Sequence, residues 1–176
     1  MANYRRNYIE GGIYFFTLTM SDRKSSLLVD EVELLRKSFK RVQQELPFNI
    51  DAIVILPEHL HCVWTLPLGD FDYSTRWKKI KAGFSRCLPK AEKRRESQIK
   101  KGESGIWQRR FWEHTLRDEE DFLRHVEYIH YNPVKHGYVR SVREWPYSSF
   151  HRYVRDGRYP ADWADYPDNE AGCFGE

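Results

Sequence analysis

Cysteine is scarce in this chain. The three present (Cys62, Cys87 and Cys173) are an odd number without paired spacing, which predicts reduced thiols and a cytoplasmic setting rather than a disulfide framework. No Cys-x-x-Cys pair is available for a structural zinc site. Long uncharged apolar runs are also missing, so no transmembrane span is expected. The first residues, Met1 to Arg6, lead into Tyr8 and a Gly-Gly turn without the apolar centre of a signal peptide. The 176 residues suit one domain with one full core, and 40% hydrophobic with 31% charged side chains fits a soluble globular protein.

Negative charge is nearly absent from the middle of the chain. Thirteen Lys and Arg stand between Arg76 and Arg110 against three Glu, a local net of +10 hidden in an overall +3. Such density points to a polyanionic partner, although many charge runs are only solvated faces. Aromatic residues reach 15%, more than a core of this size needs, and rings beside positive charge suit unpaired bases. The balance reverses at the end. Residues 161–176 hold five acids and no Lys or Arg, so residues 1–160 are read as a single domain and 161–176 as a flexible acidic tail.

Pro57-Glu58-His59-Leu60-His61-Cys62-Val63-Trp64 organises the rest. From Ile53 to Leu66 the chain is too apolar and β-branched for a surface loop and reads as buried strand. Alternate residues on a strand share a face, so His59 and His61 aim at one spot, with Val63 and Thr65 further along. Leu60, Cys62, Trp64 and Leu66 point the other way, into a core. By itself the pair is compatible with two satisfied core histidines, with a solvated sheet face, or with a metal site.

Ile13 to Met20 reads as a first strand after the Gly11-Gly12 turn. A helix follows, with Asp30 and Glu33 resembling a capping box, Val32, Leu35, Phe39, Val42 and Leu46 on one face, and Pro47 as its stop. Asn49 to Leu56 forms a second strand that pairs with the histidine strand as a hairpin. A second helix spans about Tyr73 to Leu88, with Trp77, Ile80, Phe84 and Leu88 inward and Arg76, Lys79 and Arg86 off that face. Lys90 to Gly105 is expected to be a flexible loop, and Ile106 to Leu116 a fourth strand. The fold class is therefore α+β: a ferredoxin-like βαββαβ sandwich, an antiparallel sheet with helices on one face, plus a third helix and a C-terminal extension.

Asp118 caps the third helix, expected to run to Asn132 and to be halted by Pro133. At about 100° per residue, Phe122, Val126 and Ile129 make its core face, while Asp121, His125, Tyr128 and Asn132 share a separate polar stripe. If that stripe faces His59 and His61, two imidazoles, an amide oxygen and a phenol meet. Two nitrogens and an oxygen leave coordination positions for phosphate oxygens. A cation beside the phenol would favour phenolate, and a phenol leaves readily when a covalent bond must later be reversed.

These residues resemble those of REP-associated tyrosine transposases, a branch of the single-tyrosine HUH transposases related to small insertion-sequence enzymes. The resemblance is carried by Tyr14-Phe15-Phe16-Thr17, by Leu56 to His61, and by Ile106-Trp107-Gln108-Arg109-Arg110-Phe111-Trp112-Glu113-His114. It continues through Arg117 to Asp121, Tyr128-Ile129-His130-Tyr131-Asn132-Pro133-Val134-Lys135-His136-Gly137, and Trp145 to Phe150. It implies that the third helix is catalytic, with Tyr128 as nucleophile, His59 and His61 as metal ligands, and Asn132 as third ligand where distant insertion-sequence relatives have glutamine. It further implies Mg²⁺ or Mn²⁺, and cleavage and rejoining of single-stranded DNA through a 5′-phosphotyrosine. The implied substrates are hairpins of repetitive extragenic palindromes. A cytoplasmic, nucleoid-associated protein acting as monomer or homodimer is expected.

Arg5, Arg6, Arg76, Lys78, Lys79, Arg109 and Arg110 are candidates for phosphate contact, and Trp112 or Tyr131 for base stacking. The acidic tail is a candidate mimic of phosphate charge that dampens DNA binding. The principal alternative is a non-catalytic DNA or RNA hairpin-binding protein. A relaxase-like or replication-initiating nuclease is disfavoured by the short chain and the lack of a helicase-like segment.

Overall fold

A computed structural model describes residues 6–164. Four antiparallel strands form one sheet in the order β2-β3-β1-β4: β1 (Ile13–Thr19), β2 (Asn49–Ile55), β3 (His59–Thr65) and β4 (Trp112–Thr115). Leu56 to Glu58 joins β2 to β3 as the expected hairpin. A short helix α1 (Leu27–Asp30) precedes α2 (Val32–Glu45) and α3 (Tyr73–Arg86), which pack together on one face. Beneath them Trp64 and Trp77 stack with ring centroids 4.0 Å apart, inside a core that also holds Leu60, Cys62 and Leu66. The predicted alternation along the histidine strand is thus met.

The third helix, α5 (Glu119–Lys135), covers the opposite face. Val126 and Ile129 bury there against Phe15, Val54 and Val63. The ferredoxin-like pair of helices and the added helix therefore sandwich the sheet, and every residue of β3 but Thr65 is buried. A C-terminal extension continues this layer. Its backbone joins the β2 edge through Ile55 N–H to Tyr147 O (2.9 Å) and Ser149 N–H to Ile53 O (2.8 Å), before α6 (Phe150–Arg155). His130 turns into this layer and meets Ser149 Oγ at 2.9 Å.

Several boundaries differ from the sequence reading. Asp30 accepts from Ser26 Oγ instead of capping α2, whose N-cap is Glu31. Lys90 to Gly105 is not all loop: it contains α4 (Glu96–Lys100), with Gln98 Oε1 accepting the Arg95 N–H. The fourth strand is shorter than Ile106 to Leu116: Ile106 to Gln108 still pair with the end of β1, through Ser21 N–H to Ile106 O and Gln108 N–H to Thr19 O, while Lys81 Nζ binds the carbonyls of Gln108 (2.6 Å) and Arg109 (3.3 Å) before β4 begins. Pro133 does not halt α5. The helix carries it in its last turn and ends at Gly137, φ +72°, where Gly137 N–H bonds Val134 O and Tyr138 N–H bonds Pro133 O. That paired closure is the usual glycine C-terminus, requiring a left-handed residue.

No helix among the described residues is long and apolar enough to cross a membrane. Most of the acidic tail, residues 165–176, lies outside the described residues. Within its described start, Trp163 stacks on Tyr159 with centroids 4.7 Å apart.

Candidate active site

His59 and His61 present their rings on the α5 side of β3, with centroids 4.8 Å apart, and both are buried. Each is oriented through Nδ1. Glu58 Oε1 lies 2.8 Å from His59 Nδ1, and the Tyr138 hydroxyl donates to the other Glu58 oxygen at 3.2 Å. Thr17, directly across the ladder on β1, puts Oγ1 2.8 Å from His61 Nδ1. With Nδ1 engaged, Nε2 is the nitrogen that remains to each ring. In His61 it is buried and has no hydrogen-bond partner among the described residues.

Burial lowers the basicity of both imidazoles. In His59 the Glu58 carboxylate opposes that effect without overcoming it, and in His61 the neighbouring His59 adds to it. Burial would raise the Glu58 carboxyl, but the charge and hydrogen bond of His59 bring it below its ordinary value. The short Glu58–His59 contact engages Nδ1 and leaves Nε2 as the ring's free nitrogen. Neutral imidazole is the form that binds a metal.

α5 supplies the other half. The Tyr128 ring stands 5.2 Å from His61 at 69°, within the same chain, and Lys135 Nζ lies 4.9 Å over the Tyr128 ring. His136, at the end of the helix, is 5.1 Å from His59 between ring centroids. Asn132 lies one turn from each, between Tyr128 and His136 on the same stripe. It is fully buried, and neither Oδ1 nor Nδ2 has a partner among the described residues. A buried amide left unpaired at both ends costs free energy unless something else binds it. Two imidazole nitrogens and this amide oxygen suit a divalent cation.

The predicted polar stripe divides. Asp121 and His125 turn instead to His114 on β4, and these three form a group with donor atoms within 4.8 Å of one another. The Phe15 ring separates the two sets, 5.5 Å from His61 and 4.8 Å from His125. Sequence reasoning missed this group, because His114 joins it only through the pairing of β4 with β1. It also missed Glu58 and Thr17 as orienting partners, although both lie in the quoted motifs.

The basic residues also divide. Arg6, Lys78 and Arg109 line a groove of about 750 Å³ along α3, together with Lys81, Arg86 and Lys101, which were not among the phosphate-contact candidates. Burial lowers the Lys81 amine to about 8. Arg110 is exposed just before β4. Lys79 instead pairs with Glu45 at 2.6 Å, and Arg5 lies outside the described residues. Arg76 corrects the expectation of a phosphate contact. It is 1% exposed, its guanidinium grips Asp70 at 2.6 Å, and it also donates to the carbonyls of Leu46, Pro47 and Asp72. Trp112 is half exposed on the β4 edge, its ring 5.6 Å from Phe15, which also packs on Tyr128.

Comparison with known proteins bears on this arrangement. Residues 3–132 match the family model for IS200-like transposases, a span that includes His59, His61, Tyr128 and Asn132. A REP-associated tyrosine transposase of Escherichia coli K12 is 47% identical over 98% of this chain and 97% of its own. A Haemophilus influenzae protein provisionally given the same name is 48% identical, over 96% of each chain. A solved structure of a REP-associated tyrosine transposase bound to a REP hairpin superposes with a TM-score of 0.81 at 48% identity, covering 93% of this chain and 92% of that one.

Proposed function

The chain belongs to the IS200-like transposase family, within it to the REP-associated tyrosine transposases, and from that premise we propose that Tyr128 cleaves and rejoins single-stranded DNA beside palindromic hairpins. The observation that carries the reading is the Tyr128 ring 5.2 Å from buried His61, with unpartnered Asn132 one turn further along α5.

In the cleavage step the Tyr128 oxygen attacks a backbone phosphorus and loses its proton. A bond to the 5′ side of the break forms as the P–O3′ bond breaks, and the departing 3′ oxygen takes up a proton. Rejoining runs in reverse: an incoming 3′-hydroxyl attacks the phosphotyrosine and the phenol leaves. Lys135, with Nζ 4.9 Å over the ring, places a positive charge beside the nucleophile and the phosphate it attacks. His59, His61 and Asn132 would hold Mg²⁺ or Mn²⁺, and Glu58 and Thr17 keep the imidazoles turned toward it. When bound, such a cation supplies positive charge for the phosphate oxygens under attack.

The groove along α3 is the candidate grip for the hairpin stem. It lies on the sheet face opposite to the histidines, so the connecting strand would cross the β4 edge at Trp112, which can stack a base. The test is a labelled hairpin with a single-stranded flank, incubated with Mn²⁺ and run under denaturing conditions. The expected product is a protein–DNA adduct that is absent in Tyr128→Phe and much reduced in His59→Ala. Tight binding with no adduct in the unaltered protein would favour a non-catalytic hairpin binder.

A further inference from the structure

A second set of side chains of metal-ligand type, separate from the ligands proposed above, joins His125 and Asp121, one and two turns before Tyr128 on α5, to His114 on β4. His114 Nε2 is 3.0 Å from Asp121 Oδ2, and His125 Nδ1 is 3.2 Å from Asp121 Oδ1. With bonds of about 2.0–2.2 Å, neighbouring donors around a tetrahedral or octahedral ion sit roughly 3–3.5 Å apart. Each Asp121 carboxylate oxygen already lies at that distance from one imidazole nitrogen. The separation of the two imidazole nitrogens, within 4.8 Å, closes by side-chain rotation, for which the half-buried imidazoles (30% and 22% exposed) have room. Asp121 is held ready: its Oδ2 accepts the Arg117 N–H at 3.2 Å, and its own N–H donates to the cap Asp118 at 2.8 Å. Apolar rings wall the site, with Trp112 stacked on His114 at 5.9 Å and Phe15 against His125 at 4.8 Å.

We propose that His114, Asp121 and His125 form a second cation site, for a borderline transition ion of the Zn²⁺ type, that clamps β4 to α5 beside Tyr128. Two imidazoles and one carboxylate leave a solvent-facing position for water. Such a nitrogen-rich set suits Zn²⁺ better than Mg²⁺, which prefers oxygen donors throughout. On coordination His114 Nε2 gives up its hydrogen bond to the Asp121 carboxylate and His125 Nδ1 its 2.8 Å bond to the Asp121 backbone carbonyl, and in a neutral imidazole the proton moves to the other ring nitrogen. The Arg117 side chain, 3.8 Å from Asp121 Oδ2, is 78% exposed and can swing away from the incoming charge. His125 and Tyr128 both pack on Phe15, so a fixed His125 also fixes where the nucleophile's ring rests.

The test uses the full chain with His59→Ala and His61→Ala, stripped by chelator and titrated with Zn²⁺ by calorimetry, with a melting curve in parallel. One Zn²⁺ per chain and a higher melting temperature are expected. Adding His114→Gln or His125→Gln should weaken binding at least as much as losing an orienting partner does, about 10–100-fold. No saturable uptake in that background, or uptake unchanged by His114→Gln, would overturn the proposal. In the chain with both histidines of β3 intact, His114→Gln should remove one of two bound Zn²⁺, which decides the matter if the double variant does not fold. Neither outcome bears on the role of His59 and His61.

Discussion

Glu58 holds the imidazole of the residue that follows it, Oε1 to His59 Nδ1 at 2.8 Å, from a position where its carboxylate is buried and supported by Tyr138. A carboxylate behind a metal-binding imidazole fixes the ring and raises its donor strength. Glu58→Ala should therefore weaken Mn²⁺ binding about 10–100-fold while leaving His59 and His61 in place. Glu58→Gln keeps an acceptor for the Nδ1 proton and should lose much less. Calorimetric Mn²⁺ titration of the two variants separates orientation from charge; equal losses would mean that charge alone matters.

Asn132 gives the site a different signature, a trade between stability and activity. Its amide is fully buried and unpartnered among the described residues, so it carries a desolvation cost that a side chain of similar size without polar atoms would not. Asn132→Leu should raise the unfolding free energy of metal-free protein by about 1–2 kcal/mol and abolish the covalent adduct. Urea unfolding in chelator reads the first and the hairpin assay the second. A loss of stability would show that the amide is satisfied within the fold and is no ligand.

Much of this site was legible because strand and helix periods are strict. Alternation placed His59 and His61 on one face and Leu60, Cys62 and Trp64 on the other, and Asp118 announced the start of α5, where it accepts the Asp121 N–H. What escaped were relations between elements. Thr17 meets His61 only through the β1–β3 register, and Asp121 and His125 leave the predicted stripe because β4 brings His114 to them. Pro133 misled because a proline in the last turn removes one bond from a helix that Gly137 goes on to close. Arg76 looked peripheral on the helical wheel, yet Asp70 and the carbonyls of Leu46 and Pro47 enclose it.

Arg76 and Lys78 stand two residues apart and should fail in different ways. Arg76→Ala leaves Asp70 and three carbonyls without their donor, and because Asp70 stays partly exposed the loss should fall at the low end for a broken buried pair, about 3 kcal/mol. Lys78→Ala, on the wall of the groove, should leave stability unchanged and lower the slope of log affinity against log salt for hairpin DNA by about one. A normal melting curve for Arg76→Ala together with a reduced salt slope would restore it as a phosphate contact.

Acid sensitivity should trace in part to His130, away from the chemistry. Burial drives its imidazole from 6.5 down to about 3, helped by the nearby charges of Arg152 and His151, while its Nε2 stays bonded to Ser149. The unfolded chain binds this proton from about 6.5 downward, whereas the folded chain resists it until about 3. Stability is therefore full above that upper value and falls with pH between the two, by up to about 1.4 kcal/mol per pH unit from this group. His59, His61 and His125 are also lowered and share the trend, so the informative quantity is the difference between the parent and a His130→Gln variant. Gln can keep a polar atom near Ser149 Oγ and takes up no proton. Urea midpoints of the two proteins should run parallel above pH 7 and diverge below 6, with the variant losing less. Parallel curves down to pH 4 would show that His130 is already protonated in the fold.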